Sequence, residues 1–137
     1  MPYSRLYYHF VWTTKERQPL ITETNRDPIL KAIAAKVVQL KGICHAINAV
    51  SDHVHLVASV PPSMALGIFI GQVKGNSSHL ASRLSGEDTL QAFAWQSEYG
   101  VMTVSESHLT SVVRYVLNQQ EHHGAGSLNA RLEQWEE

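Results

Sequence analysis

Apolar, aromatic and β-branched residues crowd together in Leu6-Tyr7-Tyr8-His9-Phe10-Val11-Trp12-Thr13, a run that predicts a strand. Residues 14–26 form a polar connection. The period then becomes helical: Leu30, Ile33, Val37 and Leu40 share one stripe, with Asp27 as the expected N-cap, Pro28 at the first helical position and Gly42 as the stop. Ile43 to Val50 and His53 to Val60 read as two more strands joined by the tight turn Ser51-Asp52, and Pro61-Pro62 ends the second of them. Ser63 is placed to cap a second helix whose stripe is Leu66, Phe69, Ile70, Val73 and Leu80. Residues 84–97 carry no regular period, and Tyr99 to Val104 is a short fourth strand. Ser107 caps a third helix with Leu109, Val112, Val113, Val116 and Leu117 on one face, ending at His122-His123-Gly124. Leu128, Leu132 and Trp135 could form a short terminal helix.

The order β-α-β-β-α-β-α is the split βαβ pattern of an α+β, ferredoxin-like (RRM-like) antiparallel sheet with helices on one face. On this reading the other sheet face is left free for a ligand or a site. The 137 residues are expected to form a single domain, 1–137. With 44% apolar and 17% charged residues, the composition excludes an intrinsically disordered chain. No apolar run approaches the ~18 residues of a membrane span, and the N-terminus lacks the apolar stretch of a secretory signal. The single cysteine, Cys44, excludes an intrachain disulfide and a multi-cysteine zinc cage. A reducing cytoplasm is the expected location.

A net charge of −1 suits a nucleic-acid binder poorly, yet the charge is uneven. Residues 1–42 balance at +4 and residues 84–137 at −6, which allows a local basic surface and fits a merely solvated face equally well.

Alternation along the third strand sends Val54, Leu56, Ala58 and Val60 to the core, so His53 and His55 sit side by side on the opposite face. Imidazoles at i and i+2 can bind one metal ion. Taken alone, the spacing more often marks two surface histidines at a sheet end. On the third helix Tyr115 and Gln119 are one turn apart, on a face distinct from the apolar stripe and shared with His108 and His122. A phenol and an amide carbonyl at that spacing can reach the same point, or simply be half-exposed. Gly67, Gly71 and Gly75 recur every fourth residue on the second helix, at about 1 kcal/mol each relative to alanine. The compensation expected is close approach of a partner backbone or a nucleic-acid strand, with Lys74 suited to a phosphate.

Together these motifs resemble the single-tyrosine branch of the HUH endonucleases, the IS200-like insertion-sequence transposases that act on single-stranded DNA. The His-hydrophobic-His element is His53-Val54-His55, and the nucleophile helix is Tyr115-Val116-Leu117-Asn118-Gln119, preceded by Arg114. Val11-Trp12, Lys15-x-Arg17, Pro61-Pro62, Lys74-Gly75-x-Ser77-Ser78 and the stretch from Trp95 to Tyr99 also match, so the similarity runs from about residue 3 to 122. The resemblance implies that His53, His55 and Gln119 hold Mg²⁺ or Mn²⁺. It implies that Tyr115 attacks a scissile phosphate, leaving a 5′-phosphotyrosine and a free 3′-OH. Lys15, Arg17, Lys74, Gly75, Ser77, Ser78 and Arg114 become candidate DNA contacts. It further implies imperfect hairpins as the DNA recognised, and a homodimer in which the tyrosine helix can serve the partner's histidines.

Three alternatives remain. A domesticated repeat-associated nuclease would keep the same residues. A non-catalytic module would bind single strands on the open sheet by aromatic stacking. It is weakened because Tyr8, Phe10 and Trp12, the bulkier set on the first strand, are the expected core residues, leaving Tyr7, His9 and Val11 outside. A zinc hydrolase lacks a third histidine at ligand spacing and a general-base glutamate.

Overall fold

The aromatic run near the N-terminus forms β1 (Tyr7–Thr13) in the computed structural model, which describes residues 4–85 and 93–119. After it come a 3₁₀ turn (Lys15–Arg17), α1 (Arg26–Gln39), β2 (Ile43–Val50), β3 (His53–Ser59), α2 (Leu66–Ser85), β4 (Gly100–Val104), a second 3₁₀ turn (Glu106–His108) and α3 (Leu109–Leu117). The strands make one antiparallel sheet in the order β2-β3-β1-β4, the α+β split βαβ arrangement expected from the sequence. The two central strands, β1 and β3, are covered on both faces, so burial runs almost unbroken along them. Phe10 and Trp12 of β1 and Val54, Leu56 and Ala58 of β3 enter the main core. There they meet Ile29, Ile33 and Val37 of α1 and Phe69, Ile70, Val73 and Ala81 of α2.

Two boundaries differ from expectation. α1 begins at Arg26, with Asn25 rather than Asp27 at the N-cap position. Asn25 closes the preceding loop: its Oδ1 accepts the Thr22 N–H at 2.7 Å and its Nδ2 donates to the Leu20 carbonyl at 3.0 Å. Pro28 therefore sits deeper in the first turn, where a missing N–H still costs nothing. At the other end Lys41, not Gly42, takes the left-handed conformation, with φ 69°. Gly42 is needed for space, since a Cβ there would lie 2.7 Å from the Ser59 carbonyl oxygen.

The main topological finding concerns α3. It does not join α1 and α2 but crosses the opposite sheet face, over β2 and β3, where Val116 packs against Ala46 and Val57. Leu109, Val112, Val113 and Tyr115 flank that second cluster. The first core is already filled by two helices, whereas Ala46 and Val57 present a shallow apolar patch that a short amphipathic helix can cover. The sheet face expected to stay open is thus partly roofed. The expected ending of this helix at residues 122–124 and the terminal helix over 128–135 lie outside the described residues. Among the described residues no helix is long and apolar enough to cross a membrane.

Candidate active site

Beneath the roof formed by α3 lie the two imidazoles of β3. His53 and His55 retain only 2% and 0% of their exposure, and their ring centroids are 5.3 Å apart. The strand register sets Val11 and Asn48 opposite His55, and Thr13 and Val50 opposite His53. Both rings have Nδ1 engaged. His53 Nδ1 lies 2.7 Å from Asp52 Oδ1, and His55 Nδ1 lies 2.7 Å from Nε2 of His9, a buried residue of β1. The other carboxylate oxygen of Asp52 faces Arg17 Nε at 3.5 Å. To bring that guanidinium in, Glu16 and Arg17 adopt φ of 56° and 55°. Left-handed backbone costs a non-glycine residue roughly 1–2 kcal/mol, so the chain holds this turn against a local preference.

α3 delivers the phenol. The Tyr115 ring stands edge-on to His55, centroids 6.0 Å apart and planes at 76°. Two features fix its position. Val116, its neighbour, is fully buried against Ala46 and Val57. The last carbonyls of the helix, which have no partner within it, are met by Asn48: Nδ2 donates to the oxygens of Val116 and Leu117, at 3.0 Å each. Asn48 Oδ1 in turn accepts from the Arg26 guanidinium, whose Nε donates to the Ala49 carbonyl at 3.0 Å. Gln119 follows the C-cap residue Asn118 and is fully buried. The structure therefore gathers His53, His55 and Tyr115 within one chain and buries Gln119 on the same segment.

Among the described residues no three His, Cys, Asp or Glu side chains are grouped so as to hold a metal ion. Any such ion would rest on the two histidines, an amide oxygen and substrate or water oxygens. The residues fit that role. Metal-binding imidazoles characteristically direct one ring nitrogen to a fixed hydrogen-bond partner and keep the other for the ion, and both rings here have Nδ1 so engaged. Neutral nitrogen ligands with oxygen donors suit Mn²⁺ better than Mg²⁺, which prefers oxygen throughout.

The expected DNA contacts divide. Lys15, Arg17 and Arg114 are exposed, and Arg17 stands beside the site through Asp52. Lys74 and Ser77 are turned inward on α2, on the sheet face away from the imidazoles. Lys74 Nζ donates to the carbonyls of Gln96 at 2.7 Å and Glu98 at 3.0 Å, and burial pulls its pKa below the ordinary lysine value, with the Glu98 charge opposing. The Ser77 hydroxyl donates to a carbonyl of its own helix and receives Trp95 Nε1–H at 3.1 Å. An ammonium drawn between two carbonyls is a bracket for the 96–98 loop, not a phosphate hook. Lys74→Met should therefore cost about 1–3 kcal/mol in urea denaturation by orphaning those oxygens, and leave the salt dependence of DNA binding unchanged. Gly75 and Ser78 lie farther out; Gly71 and Gly75 have nothing within 4 Å of a notional Cβ, so no described part of the chain makes the close approach their spacing suggested.

Three residues of the site were not singled out from the sequence: His9, Asp52 and Asn48. Alternation in β1 puts His9 on the His53/His55 face as soon as β1 is placed beside β3, so that signal was present. Asn48 depends on where α3 lands, which periodicity cannot give.

Comparison with known proteins follows the same lines. A family model described as "Transposase IS200 like" matches residues 2–119. The ISDra2 transposase TnpA of Deinococcus radiodurans is 28% identical over 119 residues, 84% of each chain. A crystal structure of a candidate transposase from Deinococcus radiodurans R1 superposes with a TM-score of 0.67 at 24% identity, covering 87% of this chain and 95% of that one. A REP-associated tyrosine transposase bound to a REP hairpin gives the same TM-score at 15% identity, over 90% and 74%. At those identities the two structures speak for the fold.

Proposed function

This chain belongs to the IS200-like transposase family, and from that premise we propose that it cuts and rejoins single-stranded DNA at hairpin-marked element ends, with Tyr115 as the nucleophile. The observation that carries the reading is the edge-on approach of the Tyr115 ring to His55, with centroids 6.0 Å apart in a single chain. The phenolic oxygen attacks phosphorus, an O–P bond to tyrosine forms, and the bond from phosphorus to the 3′ oxygen breaks. The phenolic proton passes to water and the departing 3′ oxygen takes one up. The product is a 5′-phosphotyrosine and a free 3′-OH; because the ester to tyrosine replaces the broken phosphodiester, reversal rejoins DNA without an external energy source.

His53, His55 and Gln119 would hold a divalent ion, Mg²⁺ or Mn²⁺. When bound, such an ion supplies Lewis-acid polarisation of the phosphoryl oxygens and favours the phenolate of a group whose ordinary pKa is near 10. The chain's own contribution is positional. Asp52 and His9 fix the imidazoles, Asn48 fixes the last turn of α3, and the roof over β2 and β3 keeps bulk water from the two rings. Among the exposed cations, Lys15, Arg17 and Arg114 are the ones this reading assigns to the DNA backbone, Arg17 while paired with Asp52. The resemblance also carries a homodimer; within one chain the Tyr115 ring already stands 6.0 Å from that of His55. A non-catalytic stacking platform is disfavoured because α3 occupies much of the sheet face such a platform needs.

The test uses a pool of single-stranded oligonucleotides, each with one imperfect hairpin and randomised flanks, labelled at the 3′ end. With Mn²⁺ the label should move to the protein on a denaturing gel, and EDTA should prevent it. Retention of label transfer in EDTA, or binding without transfer under any divalent ion, would overturn the proposal.

A further inference from the structure

His9 lies fully buried on β1, one diagonal step from His55 across the β1–β3 pairing, since its direct partner is Val57. Its Nε2 is 2.7 Å from His55 Nδ1, with ring centroids 4.9 Å apart and planes 30° from parallel. A neutral imidazole has one N–H donor and one acceptor nitrogen, and a contact this short needs one proton between the two rings. Only two arrangements supply it. If His9 donates from Nε2, His55 must carry its proton on Nε2 and has no lone pair there for an ion. If His55 donates from Nδ1, its Nε2 is an open ligand. The neighbouring ring shows which arrangement the site is built for. His53 Nδ1 faces a carboxylate oxygen, a pure acceptor when ionised, so His53 carries its proton on Nδ1 and keeps Nε2 for a ligand. The two rings act as a matched pair only if His55 does the same.

We propose that His9 is a positioning residue: it accepts the hydrogen bond from His55 Nδ1–H and so holds His55 in the tautomer that presents Nε2 to a divalent ion. His9 does for His55 what Asp52 does for His53, without adding a negative charge beside a DNA phosphate. The fixed tautomer follows from the general rule that the bond made by one ring nitrogen sets the state of the other. The inference rests on the metal reading given above and assigns a role to a residue that touches neither ion nor DNA.

The test compares the parent with His9→Phe, His9→Gln and His55→Ala. Nitrogen NMR of histidine-labelled, metal-free protein, at a pH where the imidazoles are neutral, reads the tautomers directly. Titration with Mn²⁺, followed by the electron paramagnetic resonance signal of the free ion, reads affinity. The parent should show His55 as Nδ1–H. His9→Phe should lose that preference and bind Mn²⁺ about 10–100-fold more weakly. His9→Gln, whose amide oxygen can accept the same proton, should recover most of the affinity. Should His9→Phe fail to fold, the parent spectrum and the glutamine variant still decide. An Nε2–H tautomer at His55 in a parent that binds Mn²⁺, or equal affinity in the parent and a folded His9→Phe, overturns the inference alone. Equal affinity in the parent and His55→Ala removes the metal reading itself, and this inference with it.

Discussion

Tyr115→Phe should abolish the covalent protein–DNA adduct while leaving both the fold and Mn²⁺ affinity at parental values. The substitution removes one oxygen, the atom assigned to attack phosphorus, and keeps the ring that packs beside Val116 and stands edge-on to His55. Losing a covalent nucleophile costs on the order of 10⁴-fold or more in rate. Label transfer should therefore fall to the background of the gel assay. Thermal unfolding should shift little, because a half-buried phenol exchanged for a phenyl ring changes almost no packing. Adduct formation by the phenylalanine variant at the parental rate would move the nucleophile elsewhere in the chain.

The second large effect is on stability. Trp12 is fully buried at the end of β1, its ring edge-on to Trp95 at 5.8 Å, and Trp95 is in turn edge-on to Phe93 at 4.7 Å. Trp95 also ties strand to helix, with Nε1 donating to the Lys74 carbonyl and the Ser77 hydroxyl, both at 3.1 Å. Trp12→Ala removes one end of this stack, the indole that is fully buried in the main core. A Trp→Ala truncation in a core costs about 3–5 kcal/mol, against a total of roughly 5–15 kcal/mol for a typical domain. The midpoint of thermal unfolding should drop by about 10–20 °C, and urea denaturation should give a lower midpoint with a similar slope. A loss below about 1 kcal/mol would mean that the core does not centre on β1 and α2.

The two predictions probe opposite sides of the same sheet, and the sequence disclosed those sides unequally. The core side was legible because it obeys simple periods. The alternation of Phe10 and Trp12, and of Val54, Leu56 and Ala58, named the inward residues, and the strand order followed from the element order. The His53/His55 pair was legible for the same reason. Less legible was everything that depends on how separate elements meet. The apolar stripe of α3 says that this helix buries one face, but not against which sheet face; the answer lies in the small side chains of Ala46 and Val57. Lys74 resembled a phosphate contact in one dimension, and only the fold shows two carbonyls waiting for its ammonium. Asn25 took the place of Asp27 because an Asx-type loop closure, not a cap bond, starts α1. Asn48 could not be found before α3 was placed, since its partners are main-chain oxygens with no signature in the sequence.

The alternation of β1 reaches into how this chain can diverge. Phe10 and Trp12 serve cohesion while His9, between β4 and β3, serves chemistry, and a strand that slips by one position exchanges the two sets entirely. A single residue inserted or deleted between His9 and Trp12 would turn either the imidazole toward the core or the indole toward the opposite sheet face. Within this strand a replacement is therefore a milder change than an insertion or deletion, which the connections absorb more readily.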